Sequence, residues 1–367
     1  MIGVYISIPF CAQKCTYCHF ASGVVEPALT RDYVSALEAE LAAEPWPEPP
    51  DTLYLGGGTP SLLDEETLRG ILARLPTAAW REATIEASPG SVTAQRARHW
   101  RRLGLDRVSL GVQSFAAREI SATGRKHSAD EVQREVALLR EAGLEKISVD
   151  LIAGLPHQTR ASWRESLDWV ERLAPPHVSV YILEVDLDSR LGCEILEGGA
   201  RYSAGAIPEE EQVVESYLEA GERLVSMGLD RYEISNFARP GFQSLHNLKY
   251  WRLEPYRGFG ADAHSYRWPW RWSNVRTAAE YVQCFHAGGL PVAQRDRLDH
   301  RQSTEERFFL GLRQIAGIEP VEEEWKLFAE PIARLTEEGL LRRQGARLRL
   351  TDRGILYSNT VFQEFLA

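Results

Sequence analysis

The sequence lacks long apolar runs, a secretory signal and an excess of positive charge. No apolar stretch approaches the ~20 residues that a membrane helix needs, and the N-terminal stretch does not have the layout of a cleavable signal. Cysteine is sparse and odd in number, at five, which argues against a disulfide framework. The net charge of -10 argues against a broad nucleic-acid surface. Together these absences predict a protein of the reducing cytoplasm that does not bind nucleic acid.

The residues that are present describe an ordinary globular chain. Its 367 residues exceed what one hydrophobic core usually serves, which predicts about two domains. Tryptophan is frequent, and four of the ten tryptophans lie close together in the sequence, at Trp251, Trp268, Trp270 and Trp272. This grouping indicates either a flat aromatic ligand or a surface that contacts another protein.

Three cysteines, Cys11, Cys15 and Cys18, form a CxxxCxxC loop directly after a strand-like run. Thiolates are soft ligands that favour zinc, copper(I) or iron–sulfur clusters, and a [4Fe–4S] cluster held by three of them keeps one iron open to a small molecule. The alternatives are half of a zinc site, with His19 as a fourth ligand, and inert buried thiols. The chain has no second CxxC and no HxxxH, so the spacing favours the cluster.

Strand-like and helical stretches alternate after this loop. In chain order they are strand Ile2–Ile8 and helix Ala28–Glu44, strand Thr52–Leu55 and helix Asp64–Arg74, strand Ala83–Ala87 and helix Thr93–Arg102, strand Arg107–Val112 and helix Ala129–Ala142, strand Lys146–Ile152 and helix Ser162–Leu173, and strand His177–Leu183. Because right-handed crossovers lay successive strands side by side, this order predicts an α/β fold with a parallel sheet. We favour a partial (β/α)6 TIM-like barrel, in which ligands bind at the C-terminal ends of the strands.

Residues that could bind a ligand or take part in a reaction follow these strands, where such a barrel would bind its ligands. They are the cysteine loop, Gly56-Gly57-Gly58-Thr59-Pro60, Glu86, Gln113, Arg125 and Asp150. A charged residue in an apolar strand is costly unless it is paired, so Asp150 is expected to meet a cation. Each residue alone is equally compatible with a turn, a helix cap or a surface ion pair. Their shared placement at one end of the sheet favours a ligand site.

The cysteine loop, the Gly-Gly-Gly-Thr-Pro string and the later polar positions resemble the radical S-adenosylmethionine (SAM) superfamily. The resemblance implies that Cys11, Cys15 and Cys18 hold a [4Fe–4S] cluster and that Gly57, Gly58 and Thr59 contact the methionyl end of SAM. It also implies a set of further residues that line the SAM site: Tyr5, Tyr17, Glu86, Gln113, Arg125 and Asp150. The chemistry of that superfamily is reductive cleavage of SAM, which implies an electron donor such as flavodoxin or ferredoxin.

Three later segments resemble the coproporphyrinogen III oxidase-like branch of this superfamily. They are YEISNFARPG at 232–241, HNLKYW at 246–251 and GFGADAHS at 258–265. The HNxxYW pattern in the second segment is typical of the haem chaperones of that branch, the HemW group. The resemblance therefore implies a protein that binds haem and hands it to an acceptor, with respiratory and membrane proteins as candidate acceptors.

The enzymatic alternative is the oxygen-independent oxidase itself, which decarboxylates coproporphyrinogen III to protoporphyrinogen IX. Phe20 stands where the cluster loop of the oxidase carries a further cysteine, and the long N-terminal extension of the oxidase is missing. Both departures argue against the oxidase. Sequence alone leaves open whether the chain is an enzyme, how many SAM molecules it binds and whether it dimerises.

Haem contact is expected at the HNxxYW segment. A histidine can ligate haem iron, and tyrosine and tryptophan offer flat apolar contact to a porphyrin, so we expect His246 to be the iron ligand and Tyr250 and Trp251 to touch haem. The alternative is that His246 bonds to nearby backbone while the two aromatic rings fill core. His264 is a competing ligand, because it lies in a glycine-rich turn.

The last part of the chain changes character. Helices are expected at Thr304–Gln314, Val321–Leu327 and Ile332–Gly339, followed by a short strand pair within Leu340–Thr351, which resembles the wing of a winged-helix domain. A DNA-binding protein is the rival from another class, with Arg342, Arg343, Arg347 and Arg349 as phosphate contacts. The acidic flanking helices argue against it. We divide the chain into a barrel (1–230), a connecting segment (231–300) and a small winged-helix-like C-terminal domain (301–367).

Overall fold

The computed structural model describes residues 1–76 and 79–366, in which twelve strands form one large sheet. These strands are β1 (Gly3–Ile8), β2 (Thr52–Gly57), β3 (Glu82–Ala87), β4 (Arg107–Gln113), β5 (Lys146–Ala153), β6 (His177–Ile182), β7 (Asp230–Arg231), β8 (Asn236–Ala238), β9 (Tyr256–Phe259), β10 (His264–Arg267), β11 (Trp270–Asn274) and β12 (Val292–Arg297). Their order across the sheet is β12-β11-β10-β9-β1-β2-β3-β4-β5-β6-β8-β7. Strands β1 to β6 therefore lie side by side in chain order, and each pairs in parallel with the next.

Helices connect the parallel strands and cover the sheet. The helices are α1 (Pro27–Ala43), α2 (Glu65–Leu72), α3 (Ala94–Arg102), α4 (Ala117–Ala122), α5 (Ala129–Glu141), α6 (Arg160–Leu173), α7 (Arg190–Leu196), α8 (Glu210–Ser226), α9 (Leu245–Trp251), α10 (Ala278–His286), α11 (His300–Gly311), α12 (Glu322–Leu327), α13 (Ala329–Glu337), α14 (Asp352–Leu356) and α15 (Ser358–Gln363). Asp64 and Thr93 cap α2 and α3, because their side chains accept hydrogen bonds from backbone N–H groups one turn later. Within the described ranges, none of these helices combines the length and the apolar character needed to cross a membrane.

The predicted α/β partial (β/α)6 barrel is confirmed. Apolar residues such as Val4, Ile6 and Val149 are fully buried within the parallel strands, as expected for a sheet that is covered on both faces. The C-terminal ends of β1 to β5 lead into the cysteine loop, the glycine string and the polar residues singled out in the sequence. The fold therefore gathers those residues at one end of the barrel.

The segment at 231–300 belongs to the same sheet. Strand β9 pairs in parallel with β1, and β10, β11 and β12 continue the sheet as antiparallel neighbours. At the opposite edge, β8 pairs antiparallel with β6. These strands are only three to six residues long and contain several charged residues, so their sequence pattern is too short to show alternation. Because these strands are so short, the sequence predicted a connecting segment here and not part of the sheet.

Helix α9 closes the end of the barrel where the strands begin. Its Ser244 cap and the His246 N–H both donate hydrogen bonds to Glu82 at the start of β3, at 3.3 and 3.0 Å. Glu82 also pairs with Arg107 at the start of β4, with 2.9 Å between Oε2 and Nε, and both side chains are almost completely buried. Arg107 in turn donates to the Phe242 carbonyl at 2.6 Å. A buried ionic network thus fixes α9 opposite the end that carries the cysteine loop.

The C-terminal region contains the expected helices, as α11, α12 and α13, and the expected strand pair, as β13 (Leu341–Gln344) and β14 (Arg347–Leu350). Two of the arginines proposed as phosphate contacts have partners within the protein. Arg347 forms an ion pair with Glu319 at 2.7 Å, and the guanidinium of Arg343 lies 4.3 Å from the ring centre of Trp325. The ion pair offsets one positive charge of this hairpin, and the stacking holds a second guanidinium against Trp325.

Candidate functional site

The cysteine loop is tied to the elements around it by backbone hydrogen bonds. The Cys11 N–H donates to the Gly23 carbonyl at 2.9 Å, and the Thr16 N–H donates to the Thr123 carbonyl at 3.2 Å. Cys11, Cys15 and Cys18 are all partly exposed, and none of them forms a disulfide bond. Burial raises the pKa of the Cys18 thiol. The loop therefore holds three free sulfur atoms in a fixed backbone at the mouth of the barrel.

Gly58 lets the end of β2 pass directly beneath the cysteine loop. A Cβ atom at Gly58 would lie 2.6 Å from the Phe10 carbonyl oxygen and 2.8 Å from the Ile8 carbonyl oxygen. These are the carbonyls that accept hydrogen bonds from Thr59 and Gly58, at 2.7 and 2.8 Å. Gly57 adopts a φ of +103°, which favours glycine. The glycine string is thus required by close backbone approach, and it locks the loop against the sheet.

Arg125 connects the cysteine loop to strands β3 and β4. Its guanidinium donates to the Cys15 sulfur at 3.3 Å, the Tyr17 hydroxyl at 3.4 Å, the Ser88 hydroxyl at 3.0 Å and the Gly111 carbonyl at 2.5 Å. A cation beside a thiolate stabilises its charged form. Arg125 is therefore placed to compensate the negative charge of a thiolate-bound centre and to orient Tyr17.

Two carboxyl groups, Glu86 and Asp150, lie deeper in the barrel. The Tyr54 hydroxyl donates to Glu86 at 2.9 Å, and burial raises the pKa of Glu86 to about 7. Ser109 and Ser148 donate to the two oxygens of Asp150 at 2.9 and 3.1 Å, and burial again raises the pKa of this carboxyl. Arg125 is the cation that acts on Asp150, although its charge only partly offsets the effect of burial.

Gln113 ends β4 in an unusual backbone conformation. Its φ is +71°, and the pairing of β4 with β5 shifts register between Gly111 and Gln113. The side-chain oxygen of Gln113 is buried without a hydrogen-bond partner among the described residues. A non-glycine residue in this region is costly and an unsatisfied buried oxygen adds to that cost, so both features point to a ligand that supplies the missing donor.

One cavity of about 730 Å³, here called the main cavity, collects these side chains. Of the residues assigned to the cluster or to SAM, it is lined by Cys11, Cys15, Cys18, Tyr17, Gly57, Gly58, Thr59, Glu86, Gln113, Arg125 and Asp150. Its volume is in the range typical of small-molecule sites. The sequence missed several further lining residues, among them Tyr54, Ser88, Ser109, His127 and Tyr181. Ser88 comes two residues after Glu86, directly after β3 ends, so its position was a usable signal.

The main cavity fits a cluster with a polar cofactor. Gln113 Oε1 and Arg125 Nε are buried without partners among the described residues and could pair with such a cofactor. Within those residues, no trio of His, Cys, Asp or Glu side chains is arranged to hold a single metal ion. A [4Fe–4S] cluster differs from such a single-metal site, because each thiolate binds a different iron.

Tyr5 departs from the other predicted SAM residues. It lines a separate cavity of about 380 Å³, here called the second cavity, which adjoins the main one because Phe20, Ser22 and Gly57 line both. Tyr5 stacks on Tyr54 with 6.1 Å between ring centres. Its ring therefore belongs to the wall between the two cavities.

His246 lies at the closed end of the barrel. Its side chain is completely buried, Nδ1 is 2.9 Å from the Thr52 hydroxyl, and Nε2 is 2.8 Å from the Tyr250 hydroxyl. Burial lowers the pKa of this imidazole to about 3, so it is neutral. Both ring nitrogens are therefore hydrogen-bonded at the closed end of the barrel, and ligation of haem iron by His246 stays a prediction that would require one of these bonds to break. The alternative, a histidine held by local hydrogen bonds, describes this position.

The two aromatic residues of the HNxxYW segment separate. Tyr250 lines the second cavity and packs edge-on against Tyr256, with 4.6 Å between ring centres. Trp251 lies outside both cavities, and the Arg313 guanidinium stacks over it at 4.6 Å. Tyr250 therefore remains a candidate for haem contact. Trp251 joins α9 to the C-terminal region through this stacking, and its contact with haem stays a prediction.

Two family models match the chain. The model described as Radical SAM superfamily matches residues 5–170, which include the cysteine loop and strands β1 to β5. The model described as HemN C-terminal domain matches residues 298–357. Membership of the radical SAM superfamily implies a [4Fe–4S] cluster and SAM.

The fold is that of a solved structure described as coproporphyrinogen III oxidase (HemN) from Escherichia coli, a radical SAM enzyme. The TM-score is 0.86, and the match covers 99% of this chain and 89% of the oxidase chain. The sequences are 22% identical. The likeness therefore concerns the fold.

Similarity to named proteins shows which family within the superfamily the chain belongs to. The haem chaperone HemW of Bacillus subtilis is 33% identical over 386 aligned residues, which cover 100% of this chain and 99% of that protein. The HemW of Escherichia coli is 36% identical over 271 residues, covering 72% of this chain and 69% of that protein. The similarity thus extends through the barrel and the C-terminal region, and the chain belongs to the HemW family of the radical SAM superfamily.

Proposed function

We propose that this protein binds haem and delivers it to acceptor proteins, and that it carries a [4Fe–4S] cluster and SAM. The observation that carries the proposal is the similarity to the HemW of Bacillus subtilis along the whole chain. Phe20 supports it, because an apolar ring lines both cavities at the position where the oxidase has a further cysteine. The second cavity supports it as well, because aromatic rings line this cavity next to the main one.

The main cavity is the proposed site of the cluster and SAM. Cys11, Cys15 and Cys18 hold the cluster, and Arg125 compensates its charge through Cys15. Backbone groups of Gly57, Gly58 and Thr59 and the polar side chains of Tyr17, Glu86, Gln113 and Asp150 bind SAM. The cluster, when bound, supplies an electron-accepting centre with one open iron. The residues of this chain hold that centre in place and fix the orientation of the cofactor.

The proposed partners follow from the same family membership. They are haem, a haem-acceptor protein of respiratory or membrane type, and an electron donor of the flavodoxin or ferredoxin class. We place the protein in the cytoplasm and assign it no nucleic-acid partner. A dimer is a further state to test by light scattering with and without haem.

A haem titration tests the function. The cluster-reconstituted protein is titrated with haem in the presence and absence of SAM and then mixed with apomyoglobin. We expect saturable binding near one haem per chain, followed by transfer that appears as the spectrum of myoglobin. Absence of saturable binding contradicts the proposal, and binding without transfer reduces it to haem storage.

The oxidase is tested with the same preparation. Reconstituted protein is incubated with coproporphyrinogen III, SAM and a reductant, and the products are separated by chromatography. We expect no protoporphyrinogen IX. Its formation at many turnovers per chain would make the protein an oxidase and overturn a function limited to haem delivery.

A further inference from the structure

The second cavity combines aromatic walls with one exposed histidine. Its lining includes Tyr5, Phe20, Tyr250, Tyr256, Asp262 and His264. Aromatic rings offer flat apolar contact to a porphyrin face, and an imidazole is a common protein ligand to haem iron. The second cavity therefore contains both kinds of group that haem binding requires.

Few of the nine histidines could compete with His264 as a ligand to haem iron. His177 is buried like His246, and its two ring nitrogens lie 2.7 Å from Ser148 and 2.9 Å from Tyr232. His99 is buried as well and bonds to the Glu65 carbonyl. His157, His286 and His300 line neither cavity.

Two histidines of the main cavity are poorer candidates. His127 is buried, and burial lowers its pKa to about 4. His19 adjoins Cys18 and packs on Phe20, with 4.6 Å between ring centres, so it borders the cluster loop. His264 is the histidine that faces the second cavity.

The backbone holds His264 in place. A Cβ atom at Gly258 would lie 2.2 Å from the His264 carbonyl oxygen, so strands β9 and β10 approach as closely as glycine allows. The turn before His264 is fixed at both ends, since the Asp262 N–H donates to the Val275 carbonyl and the Asn274 N–H donates to the Ala263 carbonyl, each at 2.9 Å. A ligand on a rigid turn binds metal with little loss of conformational entropy.

Asp262 lies two residues before His264 and lines the same cavity. It adopts a φ of +59°, a left-handed conformation that a non-glycine residue adopts only at an energetic cost. The turn that presents His264 is therefore held in a specific conformation.

We infer that His264 is the protein ligand to the haem iron and that the second cavity receives the porphyrin, with Phe20 and Tyr250 against its faces. The inference rests on the proposed haem-binding function. In this arrangement His246 is a positioning residue, because its Nε2 bonds to the Tyr250 hydroxyl at 2.8 Å from beneath the cavity. Haem would bind next to the cluster site, since the two cavities share Phe20 and Gly57.

The test is a spectroscopic haem titration of full-length, cluster-reconstituted protein. Wild type is compared with His264→Ala, with His19→Ala as the competing ligand and with His286→Ala as a matched control, because His286 is an exposed histidine on α10. We expect His264→Ala to weaken haem binding roughly 10–100-fold, in line with perturbed metal sites, and to shift the Soret band. Added imidazole should restore the wild-type spectrum, whereas the other two variants should retain it.

The outcomes separate the ligand assignment from the function. If wild type binds haem and His264→Ala has the same affinity and spectrum, the assignment is overturned while the function stands. A spectral loss in His19→Ala instead of His264→Ala also overturns it and moves haem to the main cavity. If wild type itself does not bind haem, both the function and the assignment fail. Circular dichroism of each variant checks that the fold is retained.

Discussion

Gly58→Ala is expected to loosen the cysteine loop from the sheet. The new Cβ would lie 2.6 Å from the Phe10 carbonyl oxygen, whereas ordinary contacts begin at 3.4 Å, so β1 and β2 must separate by about 0.8 Å. The atoms in the way are backbone atoms, which cannot rotate aside. Overpacking of this kind costs about 1–3 kcal/mol. We expect the upper part of that range, because the two hydrogen bonds from Gly58 and Thr59 to this backbone must lengthen as well.

The assay combines urea unfolding of the apo protein with iron and sulfide analysis after reconstitution. The matched control is Gly23→Ala in the same loop, because a Cβ at Gly23 meets nothing within 4 Å. The control should change the free energy of unfolding by less than about 0.5 kcal/mol and keep its iron. Gly58→Ala should lose both stability and iron. Equal values for the two variants would refute the claim that close backbone approach fixes the loop.

Three further predictions concern the closed end and the interior of the barrel. Burial raises the pKa of Glu86 to about 7 from 4.5, so the stability that Glu86 contributes is full below about pH 4.5 and is lost as pH rises through about 7. Glu86→Gln should flatten this part of the pH dependence of the free energy of unfolding in urea titrations of the apo protein. An unchanged slope contradicts the prediction. Thr52→Val leaves Nδ1 of His246 without a partner and should lower the free energy of unfolding by about 1–3 kcal/mol in urea titrations of the apo protein; an unchanged free energy of unfolding would show that this hydrogen bond does not hold His246 in place. Arg107→Met leaves the buried Glu82 carboxylate uncompensated and should cost about 3–5 kcal/mol, whereas adding Glu82→Gln should recover part of that loss; strictly additive losses would show that the pair is not coupled.

The helices and strands that could be predicted from the sequence are those defined by neighbouring residues, through apolar periodicity or a helix cap. Strand β1 and helix α3 begin within one residue of the predicted positions, because alternating apolar residues and the Thr93 cap define them. The residues that line the main cavity were predictable as a group, since parallel strands bring their C-terminal ends together. The conformation of Gln113 was not predictable, because a positive φ at glutamine depends on the register shift between β4 and β5.

The sequence could not place residues whose partners are distant in the chain. His246 bonds to Thr52, 194 positions earlier, and no local pattern distinguishes such a histidine from a free ligand. Tyr5 and Ser7 lie on the same face of β1, because side chains alternate between the two faces of a strand. Only the parallel pairing of β9 with β1 shows that this face lines the second cavity. The division of the chain at 230 and 300 stays a prediction, although strands from 231–300 share the large sheet.

Helix α9 connects three parts of the protein through the residues of the HNxxYW segment. In two turns it places His246 on β2, Tyr250 in the second cavity and Trp251 beneath Arg313 of the C-terminal region. A change at any of these residues therefore disturbs the barrel end, the cavity and the C-terminal contact together, and a loss of haem binding in such a variant does not identify an iron ligand. His264 lies at the start of β10, outside α9, so its substitution separates ligation from the contacts that α9 makes.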